Sequence, residues 1–273
     1  KVQINGNISS QYISALLLIA ASLPNGLQVE LIGEITSIPY INMTLSLLEQ
    51  VGVSAAFEDQ VIEVKPFKDV KKQSLVVESD WSSASYFYSI VALSTVGSAI
   101  RLSSYKKESL QGDAVLAKIY EHFGVETTYE ANSVVLRKTI ESSKELLKID
   151  LNKAPDIAQT IAVTCFGLGV SCELLGLHTL KIKETDRLEA LQIELTKLGA
   201  NIFVTNTSLH LRTSSIMNAN VSIETYNDHR MAMAFAPLAM RVPLEILDAG
   251  VVTKSYRNFW KDLQQIGFQI NKV

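Results

Sequence analysis

The chain has 273 residues, 47% hydrophobic and 19% charged, with a formal net charge of −3 and a pI of about 5.9. That length buries a sizeable core in one large domain or two ordinary ones, and the mildly acidic balance excludes gripping nucleic acid by bulk attraction, so a bound anion must meet a local cluster of cations. Cys165 and Cys172 fit neither a CxxC pair nor a zinc knuckle and read as buried free thiols in a reducing cytosol. The longest early apolar run, 13 to 22, is too short for a membrane span and lacks the flanks of a secretion signal, so a cytoplasmic location is expected.

In chain order, Lys1 opens the strand-like KVQI with no initiator methionine, which reads as a fragment or a processed product. Ser9-Ser10-Gln11 then begins SSQYISALLLIAAS, a helix apolar on nearly every side. The strand LQVELIG, an amphipathic helix ending LLEQVGV and the alternating pair SAAFEDQVIEVKP follow. The charged PFKDVKKQSLVVE, with Pro66, marks a crossing between domains, giving residues 1–77 and 78–273.

The same order recurs. The apolar helices SSASYFYSIVALS, PDIAQTIAVTCFGLG and NDHRMAMAFAPLAM are followed by the strands AIRLSS, CELLGL and PLEILDA, then by helices ending IYEHFGV, LTKLGAN and LQQIGFQ. Gly52, Gly124, Gly199 and Gly267 thus recur at intervals of roughly 70 residues, each at a helix C-cap. The unit is β-α-β-α-β-β, in four copies, and the fold class is α/β (α+β) with buried helices inside and sheets outside. If the buried helices run parallel, their N-termini emerge at one end, where free N–H groups favour an anion. Ser82-Ser83 at one such opening read more simply as caps.

KIKETDRLEALQIELTKLGANI, residues 181 to 202, starts with Lys183, Glu184, Asp186 and Arg187 before its leucine periodicity begins. Two cations four residues apart at a helix start repel each other and oppose the dipole, penalties that a multiply charged anion would offset. Arg230 stands at the rim of a buried helix and Lys254 after a glycine turn; guanidinium forks and lysine point charges suit phosphate and carboxylate. Asp156 follows Pro155 at another opening and Glu184 lies between cations, settings that suit proton transfer. Singly, each has a plainer reading: an i,i+3 surface pair for Glu184 and Arg187, a structural arginine, a solvated lysine and an N-cap aspartate.

KETDR (183–187), YNDHRMAM (226–233), SSQY (9–12), SIPYINMT (37–44), SDWSSASYF (79–87), LQGD (110–113) and APDIAQT (154–160) together resemble the EPSP synthase (3-phosphoshikimate 1-carboxyvinyltransferase) family, in the family's order over essentially the whole chain. The resemblance implies two similar domains of three units each. It also implies transfer of the enolpyruvyl group of phosphoenolpyruvate to the 5-hydroxyl of shikimate 3-phosphate, a transferase step of the shikimate pathway to chorismate and aromatic amino acids, with no metal or organic cofactor.

By motif, Ser9, Ser10, Gln11, Ser37, Tyr40, Asp156 and Lys183 would hold shikimate 3-phosphate, and Gln11, Arg187, Arg230 and Lys254 phosphoenolpyruvate. Asp156 would take the hydroxyl proton and Glu184 would serve the methylene carbon. No nucleic acid or membrane partner is implied. The family's habit is monomeric, and self-association of the shortened chain stays open.

Three departures stand out. Thr179 replaces an asparagine of the family, and Trp81 replaces a small residue, where it is expected to crowd the interdomain region. The family has about six units, so the four here correspond to its C-terminal two-thirds: the last unit of one domain (1–77) and a nearly complete second domain (78–273). Without the N-terminal cations, weak binding and no turnover are expected of this chain alone. The alternatives are a non-catalytic fragment or binding module, and the related transferase acting on UDP-N-acetylglucosamine, which needs a reactive cysteine that neither Cys165 nor Cys172 supplies.

Overall fold

Strand, helix and hairpin alternate as the hydrophobic periodicities require in the computed structural model, which describes every residue except Thr36, Ser37, Val70, Lys71, Gln73 and Val273. The chain forms two units, one of Lys1–Glu78 with Lys107–Ala114, the other of Ser79–Lys106 with the chain from Val115 onward.

The first unit contains β1 (Val2–Asn5), α1 (Ser10–Ala20), β2 (Leu27–Ile32), α2 (Ile38–Gln50), β3 (Ala55–Glu58) and β4 (Val61–Val64). Its sheet has the order β1-β2-β4-β3, with β1 parallel to β2 and the other pairs antiparallel. Ile13, Leu17 and Ala20 of α1 pack with Ile41, Leu45 and Leu48 of α2 onto Val29, Leu31, Ile62 and Val64 of the sheet. Burying each such aliphatic side chain stabilises by roughly 1.5–3 kcal/mol. The three- and four-residue spacing gives α1 a single buried stripe, so Leu18 and Ile19 stay 60% and 54% exposed. The expectation of an all-round buried helix fails in this copy.

The second unit begins with α3 (Trp81–Leu93), β5 (Ala99–Ser103), the four-residue α4 (Leu116–Ile119) running into a 3₁₀ turn at Tyr120–Phe123, β6 (Val125–Glu130) and β7 (Ser133–Lys138). β8 (Leu147–Asp150), a 3₁₀ turn at Pro155–Ile157, α5 (Ala158–Leu168), β9 (Cys172–Leu175), α6 (Arg187–Lys197), β10 (Asn201–Val204) and β11 (Leu209–Arg212) form the next copy. β12 (Val221–Ile223), α7 (His229–Phe235), β13 (Leu244–Ile246), a 3₁₀ turn at Ala249–Lys254 and α8 (Phe259–Gln265) complete it.

Their sheets are β5-β7-β6, β10-β11-β9-β8 and β12-β13. Four identical copies are therefore not formed. Among the described residues the second copy lacks an opening strand, its amphipathic helix is reduced to α4 and a 3₁₀ turn, and the fourth has no closing hairpin after α8.

In this unit the all-round burial does occur. Every residue of α3 but Ser83 is buried, as are Ala158–Gly167 of α5 and all of α7 but Arg230. The polar groups this encloses pair with one another: Ser85 Oγ and Thr160 Oγ1 lie 2.9 Å apart, and Thr164 Oγ1 donates to Ser89 Oγ at 2.8 Å and meets Tyr120 OH at 3.0 Å. Such pairing is what keeps buried hydroxyls affordable in a packed core. Trp81, expected to crowd an interdomain region, is fully buried and packs edge-on to Tyr105 with ring centroids 5.1 Å apart. Its bulk fills the second unit's own core.

Candidate active site in the second unit

Three helix openings meet here. Asp80 caps α3, accepting from Ser82 N at 2.9 Å and Ser83 Oγ at 2.8 Å. Pro155 starts the 3₁₀ turn that leads into α5 and carries Asp156, a position where the missing N–H costs nothing. Asp228 caps α7, accepting from Arg230 N at 2.8 Å. Arg230 then ties the openings together: its Nη2 donates to Asp156 Oδ2 at 3.1 Å and to Ser82 Oγ at 3.4 Å, and its Nη1 to Asp156 O at 3.5 Å.

The charged start of the fourth opening is arranged differently from its helical expectation. Asp186 is the N-cap of α6, accepting from Glu189 N at 3.2 Å, and Arg187 is the first helical residue. Lys183 precedes the helix with extended backbone, so Lys183 and Arg187 are not an i,i+4 pair on one helix face. The chain bends between Lys183 and Asp186, and Glu184 in that bend accepts from Arg187 Nη2.

Arg187, with its side chain 2% exposed, is enclosed by carboxylates: Nε donates to Asp228 Oδ2 at 2.6 Å, Nη1 to Asp156 Oδ1 at 3.0 Å and Nη2 to Glu184 Oε2 at 2.8 Å. Lys183 Nζ stands 3.5 Å from Asp156 Oδ1 and Lys254 Nζ 2.5 Å from Glu184 Oε1. Lys183, Arg187, Arg230 and Lys254 thus face Asp156, Glu184 and Asp228, leaving a formal excess of one positive charge. The chain's own carboxylates already offset the cations. Lys183 and Lys254, at 30% and 56% side-chain exposure, are the members an incoming anion reaches first.

Burial raises the pKa of Asp156, but the charges of Arg230, Lys183 and Arg187 outweigh it and hold the carboxyl far below its ordinary range. Glu184 is pushed up by burial, then brought down to about 2 by the hydrogen bond from Lys254 and the charge of Arg187. Burial, aided by Arg230, lowers His229 despite Asp228 and Glu184, so its ring is neutral at neutral pH. Both acids are therefore ionised and, with cations on them, weakly basic; a ligand whose anionic groups engage those cations restores their basicity.

Asp156, Lys183, Glu184, Arg187, Arg230 and Lys254 are brought together in this one unit. Of the other candidates, Ser9 caps α1 by accepting from Gln11 N at 3.4 Å, Ser10 is the first residue of α1, and Gln11 is exposed. Tyr40 lies half-buried in the first turn of α2. Ser37 lies outside the described residues. Asp228 and Ser82 join the site without having been assigned to it from sequence; the polar run before Arg230 was the available signal for Asp228, and its capping position hid its second bond. Thr179 Oγ1 is buried with no hydrogen-bond partner among the described residues. Among those residues no group of three or more His, Cys, Asp or Glu is placed to hold a metal ion, and no helix is long and apolar enough to cross a membrane.

The chain is similar to known proteins. A family model described as EPSP synthase (3-phosphoshikimate 1-carboxyvinyltransferase) matches residues 1–263. A Bacteroides fragilis protein named 3-phosphoshikimate 1-carboxyvinyltransferase is 45% identical over 274 residues, covering 99% of this chain and 66% of its own length. A chloroplastic protein of the same name from Nicotiana tabacum is 35% identical over 274 residues, covering 97% of this chain and 52% of its own. The chain thus spans less than two thirds of the length of these relatives. In fold it is similar to EPSP synthase from Acinetobacter baumannii, with a TM-score of 0.75 at 21% identity over 99% of this chain and 63% of that one. It is also similar to the enolpyruvyl transferase NikO from Streptomyces tendae, with a TM-score of 0.70 at 13% identity over 98% and 61%. On the breadth of the family match and the identity to these relatives, the chain belongs to the EPSP synthase family.

Proposed function

We propose that the second unit carries part of a site for enolpyruvyl transfer from phosphoenolpyruvate to the 5-hydroxyl of shikimate 3-phosphate. The observation that supports this most is the Asp156 carboxylate, held by Lys183, Arg187 and Arg230 at 3.0–3.5 Å. Three cations from two segments of the chain converge on one acid, an arrangement suited to a substrate pair rich in phosphate and carboxylate groups.

In this reading the carboxylate and phosphate of phosphoenolpyruvate take over Arg187, Arg230 and Lys254, while Lys183 turns to shikimate 3-phosphate. Relieved of those cations, Asp156 accepts the proton of the hydroxyl whose oxygen bonds to the central carbon of phosphoenolpyruvate. Glu184, relieved of Lys254 and Arg187, takes up a proton from solvent and delivers it to the methylene carbon, giving a tetrahedral adduct. Loss of phosphate, with return of a methyl proton to Glu184, regenerates the carbon–carbon double bond in the product. The neutral His229 ring adds no repulsion towards the arginine beside it. Ser9, Ser10, Gln11, Ser37 and Tyr40, in the first unit's part of the sequence, are assigned to shikimate 3-phosphate by the family resemblance. Residues 1–77 read as the last repeat of one domain and 78–273 as a second.

The test is calorimetric titration with shikimate 3-phosphate, then with phosphoenolpyruvate, and separately with UDP-N-acetylglucosamine. Saturable binding of the first two, weakened at least about tenfold by Arg230→Ala or Lys183→Ala, supports the reading. Preference for the nucleotide sugar, or binding indifferent to both substitutions, overturns it.

A further inference from the structure

Glu194 follows Leu191 by three residues on the covered side of α6, and its side chain is fully buried. It is also seven residues beyond Arg187 on α6, two turns along the same face and about 10 Å away along the axis. Its carboxylate is spent on one segment and one neighbour. Oε2 accepts from Glu224 N at 3.1 Å and pairs with Lys197 Nζ at 2.5 Å, and Oε1 accepts from Tyr226 OH at 2.7 Å.

The segment it holds is strained. Tyr226 and Asn227 have φ of +53° and +56°, a left-handed conformation that side chains other than glycine rarely adopt and that persists only where surroundings impose it. Asp228 follows at once, its N–H donating to Thr225 O at 2.8 Å and its carboxylate facing Arg187 and capping the helix that begins with His229 and Arg230. Helix α6 therefore grips this loop twice, at its start through Glu194 and at its end through Arg187.

We propose that Glu194 is a positioning residue for the anion site: with Tyr226 it enforces the two left-handed residues that place Asp228 against Arg187 and Arg230 against Asp156. It touches no reacting atom. Burial, and the neighbouring Glu194 carboxylate, raise the Tyr226 phenol well above its usual range, so the phenol remains a donor throughout the working pH range. The claim rests on the proposed anion site for its ligand, but its geometry can be tested without one.

Tyr226→Phe deletes the donated proton and Glu194→Gln the charge; each is made in the 273-residue chain, alone and with Asn227→Gly, which accepts positive φ without strain. The readouts are hydrogen exchange of the Arg187 Nε–H by NMR, the affinity for phosphoenolpyruvate, and the thermal midpoint. Both single variants are expected to exchange about tenfold faster at Arg187 and to bind about tenfold more weakly, and Asn227→Gly to restore most of each loss. A purely structural role would lower the thermal midpoint and quicken exchange at Arg187 and at the buried backbone amides of α5 by the same factor, leaving the ratio of the two untouched.

Exchange within about twofold of the parent, or failure of Asn227→Gly to rescue, overturns the positioning role. If the parent itself fails to bind phosphoenolpyruvate, the anion-site reading falls, and the exchange data still decide the role of Glu194. Should Glu194→Gln not fold, Tyr226→Phe, which removes a single oxygen, carries the test.

Discussion

Arg187 Nε and Asp228 Oδ2 lie 2.6 Å apart, with side chains 2% and 0% exposed. Such a pair is poor evidence of net stability against an apolar replacement of both partners, but removing one leaves the other charged and buried. Asp228→Asn is therefore expected to lower the free energy of unfolding by about 3 kcal/mol, and Arg187→Met, which strands carboxylates on three sides, by about as much or more. Urea unfolding checks both: the midpoint falls while the slope stays at the parent's value.

Acid should act first through Glu184. Its carboxyl sits at about 2 in the folded chain against an ordinary 4.5, so the stability from its ion pairs is complete above pH 4.5 and is lost as pH falls towards about 2. Asp156, displaced further in the same direction, gives up its share last. Parent and Glu184→Gln, compared by denaturant unfolding at stepped pH, should differ at neutral pH and converge near pH 2. A gap that stays constant throughout would contradict the ion-pair assignment.

The repeat glycines offer a graded comparison. Gly52, Gly124, Gly199 and Gly267 all have positive φ, from +74° to +106°, but their surroundings differ. A Cβ on Gly267 meets nothing within 4 Å, whereas one on Gly124 would lie 2.1 Å from Ile140 O. Gly267→Ala should cost about 1 kcal/mol, the left-handed penalty alone, and Gly124→Ala clearly more, because the backbone must move. Equal shifts in thermal midpoint would show that the close approach at Gly124 relaxes freely.

Cys165 and Cys172 are buried free thiols, and burial and the neighbouring Cys172 sulfur push the Cys165 thiol well up. A thiol that stays protonated and covered is a poor nucleophile. Neither should react with a disulfide reagent at pH 8 in the folded chain, and both should react once guanidinium unfolds it. Rapid modification of the native protein would mean that α5 and β9 separate readily.

What the sequence disclosed follows from the range of the interactions involved. The C-cap glycines and the period of the repeat were legible because helix capping is local: a few neighbouring residues decide it. The convergence of Asp156, Lys183, Glu184, Arg187, Arg230 and Lys254 was legible as a set of unusual charges at helix openings. Their partnerships were not. Asp186 looked like one more charge in a helical turn until its capping bond moved the helix start to Arg187. Glu194 was one charge in an amphipathic helix, and its partners Glu224 N and Tyr226, the latter 32 positions away, could not be read from the local sequence. Leu18 and Ile19 misled, since hydropathy cannot tell a helix surrounded by partners from one covered on a single side.

The junction at Arg230 bears on how such a molecule can change over generations. The openings of three successive repeats supply a hydroxyl from Ser82, a carboxylate from Asp156 and a guanidinium from Arg230. The backbone is duplicated there, but the functional groups are not, so redundancy of architecture brings none of chemistry. No copy can stand in for another once its residue is lost, and a repeat transplanted whole from elsewhere in the chain would fit the space while bringing the wrong charge.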